Sequence, residues 1–364
     1  MPLLPPLPFD PALETPAPDE DKTFQSIIAS LRTIQETTFK DYGRAVRGVH
    51  AKPHGFLFGT LEVLAGTDRS VAQGLFARPG RHEAVLRLST NPGDILDDSV
   101  STPRGLGLKI LGVSGEFLPE AAGGTQDFVL ANSPAFFAPN AKSFAPGLKL
   151  LAATTDTPQI FKKALSAVLR GAESVVEALG GRSPTLVALG GHPETHILGE
   201  TFYSAVPLRW GDYVAKVAVA PVSENLRALT GAPLNVNGRP NGLREAVVAF
   251  FAENEAVWEL RAQLRRNETT MPVEDASAVW PEEESPYVPV ARITVPRQEA
   301  WSEARSRSVD DGLAFSPWNA LAAHRPLGSI MRARRASYPV SSGFRAEHNG
   351  CPIRTPASIA ELGG

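Results

Sequence analysis

The sequence predicts an α+β fold: one domain built on a closed antiparallel barrel of about eight strands, with helices inserted between the strands and flanking them. Three observations predict it. Short apolar runs recur between glycine and proline punctuation from residue 44 onward, the pattern of strands joined by turns. Proline (32) and glycine (31) are both abundant, which favours turns and ordered loops over a helical bundle. No internal repeat or linker interrupts residues 44–345, so the strands must close on one core.

Each element follows in turn. The opening MPLLPPLPFDPALETPAPDEDK is proline-rich and acidic and reads as an extended arm over residues 1–22. It lacks a basic start and an unbroken apolar run, so it does not read as a signal peptide. KTFQSIIASLRTIQETTFK then places Phe24, Ile27, Ile28, Leu31 and Ile34 at helical spacing. GFLFGTLEVL (55–64), EAVLRLST (83–90), GLGLKILGV (105–113) and DFVLAN (127–132) read as strands. PQIFKKALSAVLRGAESVVEALGG (158–181) reads as an amphipathic helix ended by a glycine pair. Strands return in ETFYSAVPLRWGDYVAKVAVAP, VWELRAQLRR and YVPVARITVP, with a helix, GLREAVVAFFAEN, between the first two. FSPWNALAAHRPLGSIMRARRASYP reads as a loop feeding a basic helix stopped at Pro339. The domain is expected over 23–345, with 346–364 as a short tail.

Composition excludes several classes. The 364 residues are 43% hydrophobic and 21% charged, the balance of a soluble globular protein. A net charge of −3 and a pI near 6.2 leave no basic footprint for nucleic acid. No segment approaches the ~20 consecutive apolar residues of a membrane span, and a cytoplasmic location is expected. The single cysteine, Cys351, rules out an internal disulfide or a cysteine-clustered metal site and reads as a small structural thiol. HExxH, GxSxG, Walker and CxxC motifs are absent. RGLGLKILG carries a GxG, but its next glycine falls at the wrong interval for a dinucleotide fingerprint. His50/His54 and His192/His196 have HxxxH spacing, yet Pro53 and Pro193 argue against a helix through either pair, and neither has an obvious third ligand.

Two stretches carry chemistry. RGVHAKPHG, residues 47–55, sets Arg47 close to His50. Near the other end, MRARRASYPVSSGFR puts Arg334 and Tyr338 four apart, on one face of a helix. A permanent cation beside a phenol stabilises the phenolate by ~4 kcal/mol at 4 Å in an effective dielectric of 20. Phenolate is a hard anionic ligand, and tyrosine is one of the few side chains that hold haem iron. A surface helix with a tyrosine at its stop fits the same residues.

Read together and in order, RGVHAK, RLST, TPRGLGLKI, DFVLANSPAFF, VWPEEESPYVPV, AFSPWN and RRASYP resemble a haem catalase over most of 44–345. The likeness is to the short, catalase-related branch. It implies a catalase-like barrel with haem b (iron protoporphyrin IX) buried between barrel and helices. It also implies that His50 is the distal proton shuttle, its tautomer fixed by Ser89. Arg47, Arg87 and Arg345 would pair with haem propionates, Phe144 would stack on the porphyrin, and Tyr338 would be the axial iron ligand, kept a phenolate by Arg334. Val49 stands before His50 as in catalases, where the related allene oxide synthases carry threonine. One departure is at the distal asparagine: alignment on Asp127 and Pro134 puts Ala131 there and Asn132 beside it. A one-residue shift of the loop would give Asn132 that catalytic role.

The resemblance implies a haem-dependent enzyme of catalase or peroxidase type that consumes hydrogen peroxide or an organic hydroperoxide, with catalase activity weakened by Ala131 at the distal asparagine position and an organic electron donor for the peroxidase reaction. Alternatives are a fatty-acid hydroperoxide isomerase like the allene oxide synthases, or a haem-binding or haem-sensing protein without turnover. Assembly into a homo-oligomer is a further expectation by analogy. No motif supports NADPH binding.

Overall fold

The computed structural model describes residues 3–155 and 192–363. The helix expected over 158–181 lies outside the described residues. Nine strands run in chain order: β1 Lys52–Val63, β2 Gly80–Thr90, β3 Arg104–Leu111, β4 Thr125–Ala131, β5 Phe202–Tyr203, β6 Leu208–Trp210, β7 Tyr213–Pro221, β8 Ala256–Leu264 and β9 Val288–Val295. Their order is β5-β4-β3-β2-β1-β9-β8-β7-β6, and β5 also pairs with β7. That extra pairing closes eight strands into an antiparallel barrel and leaves β6 as a spur on β7. Closure leaves those eight strands no free edge.

Alternation along each strand decides what faces inward. Leu88, Leu106 and Leu130 stand in register across β2, β3 and β4, as do Leu86, Leu108 and Phe128. All six are buried in the barrel core with Leu57, Leu61, Val217, Leu260 and Ile293. The intervening residues therefore face outward, toward the helices.

Among the described residues four longer helices accompany the barrel: α1 Glu20–Tyr42, α2 Ala141–Ala153, α3 Gly242–Glu253 and α4 Ser329–Asn349. Ile27 and Ile34 of α1, Leu148 of α2 and Ile330 and Met331 of α4 form a second apolar cluster. α1 carries Glu20 and Asp21 in its first turn, where they favour the positive end of the helix dipole, and ends on left-handed Gly43.

The structure corrects one reading and adds two features that the sequence did not show. α4 does not stop at Pro339 but continues to Asn349. Proline there frees only the carbonyl of Arg335, and both residues are exposed, so water can take the lost bond. α2 was hidden in the sequence by Pro146 and Gly147. It starts cleanly because the Asn140 side chain accepts from the Ser143 N–H at 2.9 Å. The N-terminal arm lies on its own barrel: the Leu7 and Phe9 N–H groups donate to the carbonyls of Arg265 and Asp212 at 2.8 and 2.7 Å.

Arg332 on α4 fastens that arm. Its guanidinium reaches Glu14 at 2.8 Å, Glu20 at 2.7 Å and Glu274 at 2.8 Å. No helix among the described residues is long and apolar enough to cross a membrane. Replacing Arg332 with methionine would leave three glutamates facing one another. We expect Arg332→Met to lower the thermal midpoint by several degrees and to speed proteolysis before residue 20. An unchanged midpoint and cleavage pattern would refute the fastening role.

Candidate active site

The site grows from the outward rows of β2, β3 and β4. Ser89, Gly105 and Ala131 stand in register across the three strands, followed by Arg87, Gly107 and Val129. Both central positions are glycine, so the sheet is bare there. An added Cβ on Gly105 would lie 2.6 Å from Cε1 and 2.7 Å from Nδ1 of His50, and one on Gly107 would lie 2.9 Å from the Phe315 ring. The GxG of β3 is a floor on which two rings rest. No dinucleotide fingerprint is needed to explain it.

His50 reaches that floor by a left-handed backbone turn, φ 51°, uncommon for a non-glycine residue and associated with constrained functional positions. Its Nδ1 lies 3.3 Å from the Ser89 hydroxyl, which is 3.4 Å from the Gly105 carbonyl. A hydroxyl that donates to Gly105 accepts from Nδ1–H, which leaves Nε2 as the unprotonated nitrogen. Burial, reinforced by the positive charges of Arg87, Arg334 and Arg47, pushes the His50 pKa down to about 3. The ring is a neutral base at physiological pH.

A cavity of about 310 Å³ opens beside this ring. Arg47, Val49, His50, Arg87, Ser89, Tyr338 and Arg345 all line it, with Leu31 of α1 and Phe315. Seven of the ten residues singled out in the sequence thus meet around one space. At one end three guanidiniums converge on Ser306–Asp311, a wide turn with π-helical bonding. Arg47 Nε and Arg87 Nε donate to the same oxygen of Asp310 at 3.0 and 2.7 Å. Arg345 Nη1 donates to the Asp310 carbonyl at 2.6 Å. Arg47 Nη2 and Arg345 Nη2 both donate to the Leu313 carbonyl, at 3.0 and 3.2 Å. Burial alone would raise the Asp310 pKa, but Arg87, Arg47 and Arg345 hold it well below the usual carboxylate range. Burial and the neighbouring Arg47 push Arg345 down to about 9.

The other wall is fixed to the barrel through Asp127. Its carboxylate takes Lys109 Nζ at 2.7 and 2.9 Å and the Ser316 N–H at 2.9 Å. Trp318 Nε1 donates to the Met331 carbonyl of α4 at 2.7 Å. This chain of bonds sets α4, and with it Tyr338, against the sheet.

Three singled-out residues do not line the cavity. The Asn132 side chain accepts from the Arg104 N–H at 2.9 Å and meets His192 Nε2 at 2.6 Å, in a polar cluster with Glu200 and Thr195. Ala131, not Asn132, stands in the row with Ser89 and Gly105. Phe144 packs edge-on to Phe136 and Phe137 at 5.4 and 5.6 Å in the helical layer. The Arg334 guanidinium lies 5.8 Å from the Phe136 ring, and among the described residues no hydrogen bond joins it to Tyr338. His54 is buried against Thr90 Oγ1 at 2.9 Å, apart from His50. Among the described residues no group of three histidine, cysteine or acidic side chains could hold a metal ion.

Comparison with solved structures identifies the architecture. A fungal catalase superposes with a TM-score of 0.60 at 21% identity, over 86% of this chain and 62% of the catalase. The chain has the catalase fold. Catalase A from Saccharomyces cerevisiae gives 0.58 at 18%, over 85% and 63%, and a bacterial catalase gives 0.55 at 18%, over 89% and 62%. The chain therefore spans less than two thirds of the length of these catalases. No family model matches the sequence, and no curated protein does.

Asp310, Gly105, Gly107 and Phe315 were given no role in the sequence reading. One signal could have found the first: if three arginines face two carboxylates, as the resemblance implies, one positive charge is left over and calls for a further acid.

Two predictions follow from this geometry. Gly105→Ala should drive the imidazole off the sheet, break its contact with Ser89 and raise its pKa toward the ordinary value. Histidine NMR reads this directly, and an unmoved His50 resonance would contradict the packing. Burial also lowers the pKa of His54, of His196 (to about 4) and of His324 (to about 3). With His50, these histidines stay neutral when folded but take up protons below about pH 6.5 when unfolded. Stability should therefore fall as pH drops from about 6.5 toward 4, by up to ~1.4 kcal/mol per pH unit for each histidine. Denaturant midpoints at pH 7 and pH 5 measure the loss, and equal midpoints would refute it.

Proposed function

We propose that this chain is a haem-dependent enzyme that consumes hydroperoxides. The observation that carries the reading is the meeting of a neutral imidazole, a phenol and three guanidiniums around one cavity. The donor set fits haem b. Arg47 Nη1, Arg87 Nη1 and Arg345 Nε have no hydrogen-bond partner among the described residues, so each guanidinium keeps a nitrogen for an anion. Charge-assisted bonds of that kind match the propionate edge of a haem. Tyr338 is the residue that would ligate the iron. Haem, when bound, supplies the redox chemistry of O–O cleavage.

The chain's own part is proton handling and orientation. His50 Nε2, unprotonated because Ser89 engages the other nitrogen, accepts a proton from a hydroperoxide and returns it to the departing oxygen. The bare floor at Gly105 and the left-handed turn at His50 hold that nitrogen over the cavity. Apolar Val49 and Leu31 limit water beside it.

Ala131 favours an organic hydroperoxide over hydrogen peroxide as substrate. It presents a methyl group in the row beside His50, where a hydrogen-bonding side chain would position a small peroxide. Loss of one such donor costs about 10²–10³ in rate with a small peroxide.

The test is turnover by haem-loaded protein with hydrogen peroxide alone and with cumene hydroperoxide plus a phenolic electron donor, for the natural chain and for His50→Ala. We expect His50→Ala to keep its haem and to lose at least ~10² in rate with the preferred substrate, while Tyr338→Phe changes the haem absorption spectrum. A His50→Ala protein as active as the parent would end the proposal. A parent that binds haem and turns over neither peroxide would favour a haem-binding protein without turnover.

A further inference from the structure

We infer that Asp310 is a positioning residue and internal counter-ion for the three cavity arginines. It holds the guanidiniums apart and oriented before any ligand arrives, and it sets the receptor to take two negative charges. The inference rests on the haem reading above for the identity of the dianion, but its first half concerns the protein alone.

The geometry is specific. Asp310 binds Arg47 and Arg87 through their Nε atoms, the inner edge of each guanidinium. Backbone carbonyls of Asp310, Asp311 and Leu313 take the Nη2 of Arg47 and both Nη atoms of Arg345. The carbonyls of His50 and Ala51 take the Nη2 of Arg87. Every guanidinium is thereby locked from behind, with one nitrogen left over. Arg87 and Arg345 are only 3% and 2% exposed, so their charges cannot be left to solvent. Without a ligand, Asp310 is the only carboxylate that forms an ion pair with Arg47 or Arg87 among the described residues. With Asp311 paired to Arg44, three cations and one anion leave a charge of plus two, which a dicarboxylate brings to zero. A monoanion leaves the cluster positive and a tetraanion overshoots it.

The counter-ion role has a definite sign. Removing the carboxylate raises repulsion in the ligand-free protein. Part of that repulsion is relieved when a dianion binds, so the variant should gain more from binding than the parent does. A residue that merely filled space, or that helped grip the ligand, would not behave so.

The experiment compares thermal midpoints of the haem-free and haem-loaded protein for the parent, Asp310→Asn, Asp310→Glu and the double variant Asp310→Asn/Arg47→Gln. We expect Asp310→Asn to lower the haem-free midpoint by roughly 5–10 °C and to enlarge the rise produced by haem. Asp310→Glu should recover most of both. The double variant, which removes one cation with the anion and keeps a hydrogen-bond donor at 47, should regain haem-free stability lost by Asp310→Asn. Should Asp310→Asn not fold at all, recovery of folded double variant supports the counter-ion role, and failure of the double variant as well overturns it. An unchanged haem-free midpoint in Asp310→Asn, or a haem-induced rise no larger than the parent's, also overturns it. If haem raises no midpoint, the functional reading fails while the haem-free comparison still decides the role of Asp310.

Discussion

The constraint on which the rest depends is the period of two in a closed sheet. Leu88, Leu106 and Leu130 face the barrel interior in one row, so Ser89, Gly105 and Ala131 must face outward in the next. Closure through β5 fixes that register, because a slip of one residue would turn the leucines to the helices and the site into the core. The location of His50 over Gly105 is thus set by the packing of leucines that never touch it.

Onto this frame the sequence lays an unusual electrostatic load. Arginines are seldom fully buried without partners, yet Arg87, Arg104 and Arg345 are all nearly inaccessible. Arg104 is matched by Glu200, with Thr195 beside it. Arg87 shares the Asp310 carboxylate with Arg47, and Arg345 donates to the carbonyls around it. The two arrangements differ in what they can do. The Arg104 cluster ties β3 to the residues around 195–200 and is locally balanced. The Asp310 cluster borders a cavity and is balanced only with a partner.

The sequence made the barrel legible because its strands are short, apolar and punctuated, and each of the runs read as a strand overlaps one. It made His50, Ser89, Arg47, Arg87, Tyr338 and Arg345 legible only through their order along the chain. No local pattern distinguishes Tyr338 from a tyrosine on a surface helix, since what matters is the wall it faces. The alignment on Asp127 and Pro134 puts Ala131 in the row of Ser89 and Gly105, where it stands. The shift that would bring Asn132 there is not seen: its side chain is drawn off by Arg104 and His192, whose segments are distant in sequence. Pro339 misled because a proline stops a helix only when the freed carbonyl has nowhere to go, and at an exposed turn it has water. Asp310 stayed hidden because a carboxylate in an irregular turn carries no periodic signal.

The walls of the cavity come from opposite parts of the chain, His50 just before the first strand and Tyr338 on the last long helix. Loop closure over such a separation is entropically costly, and folds dominated by non-local contacts form slowly. The cavity is therefore among the last features to be completed, after β1 and β2 have paired and α4 has packed against α1 and the turn at 306–311. Whatever binds there acts as a clasp between distant segments. Its affinity reports folding of the whole chain, and its loss is felt first as a higher rate of global opening rather than as local disorder.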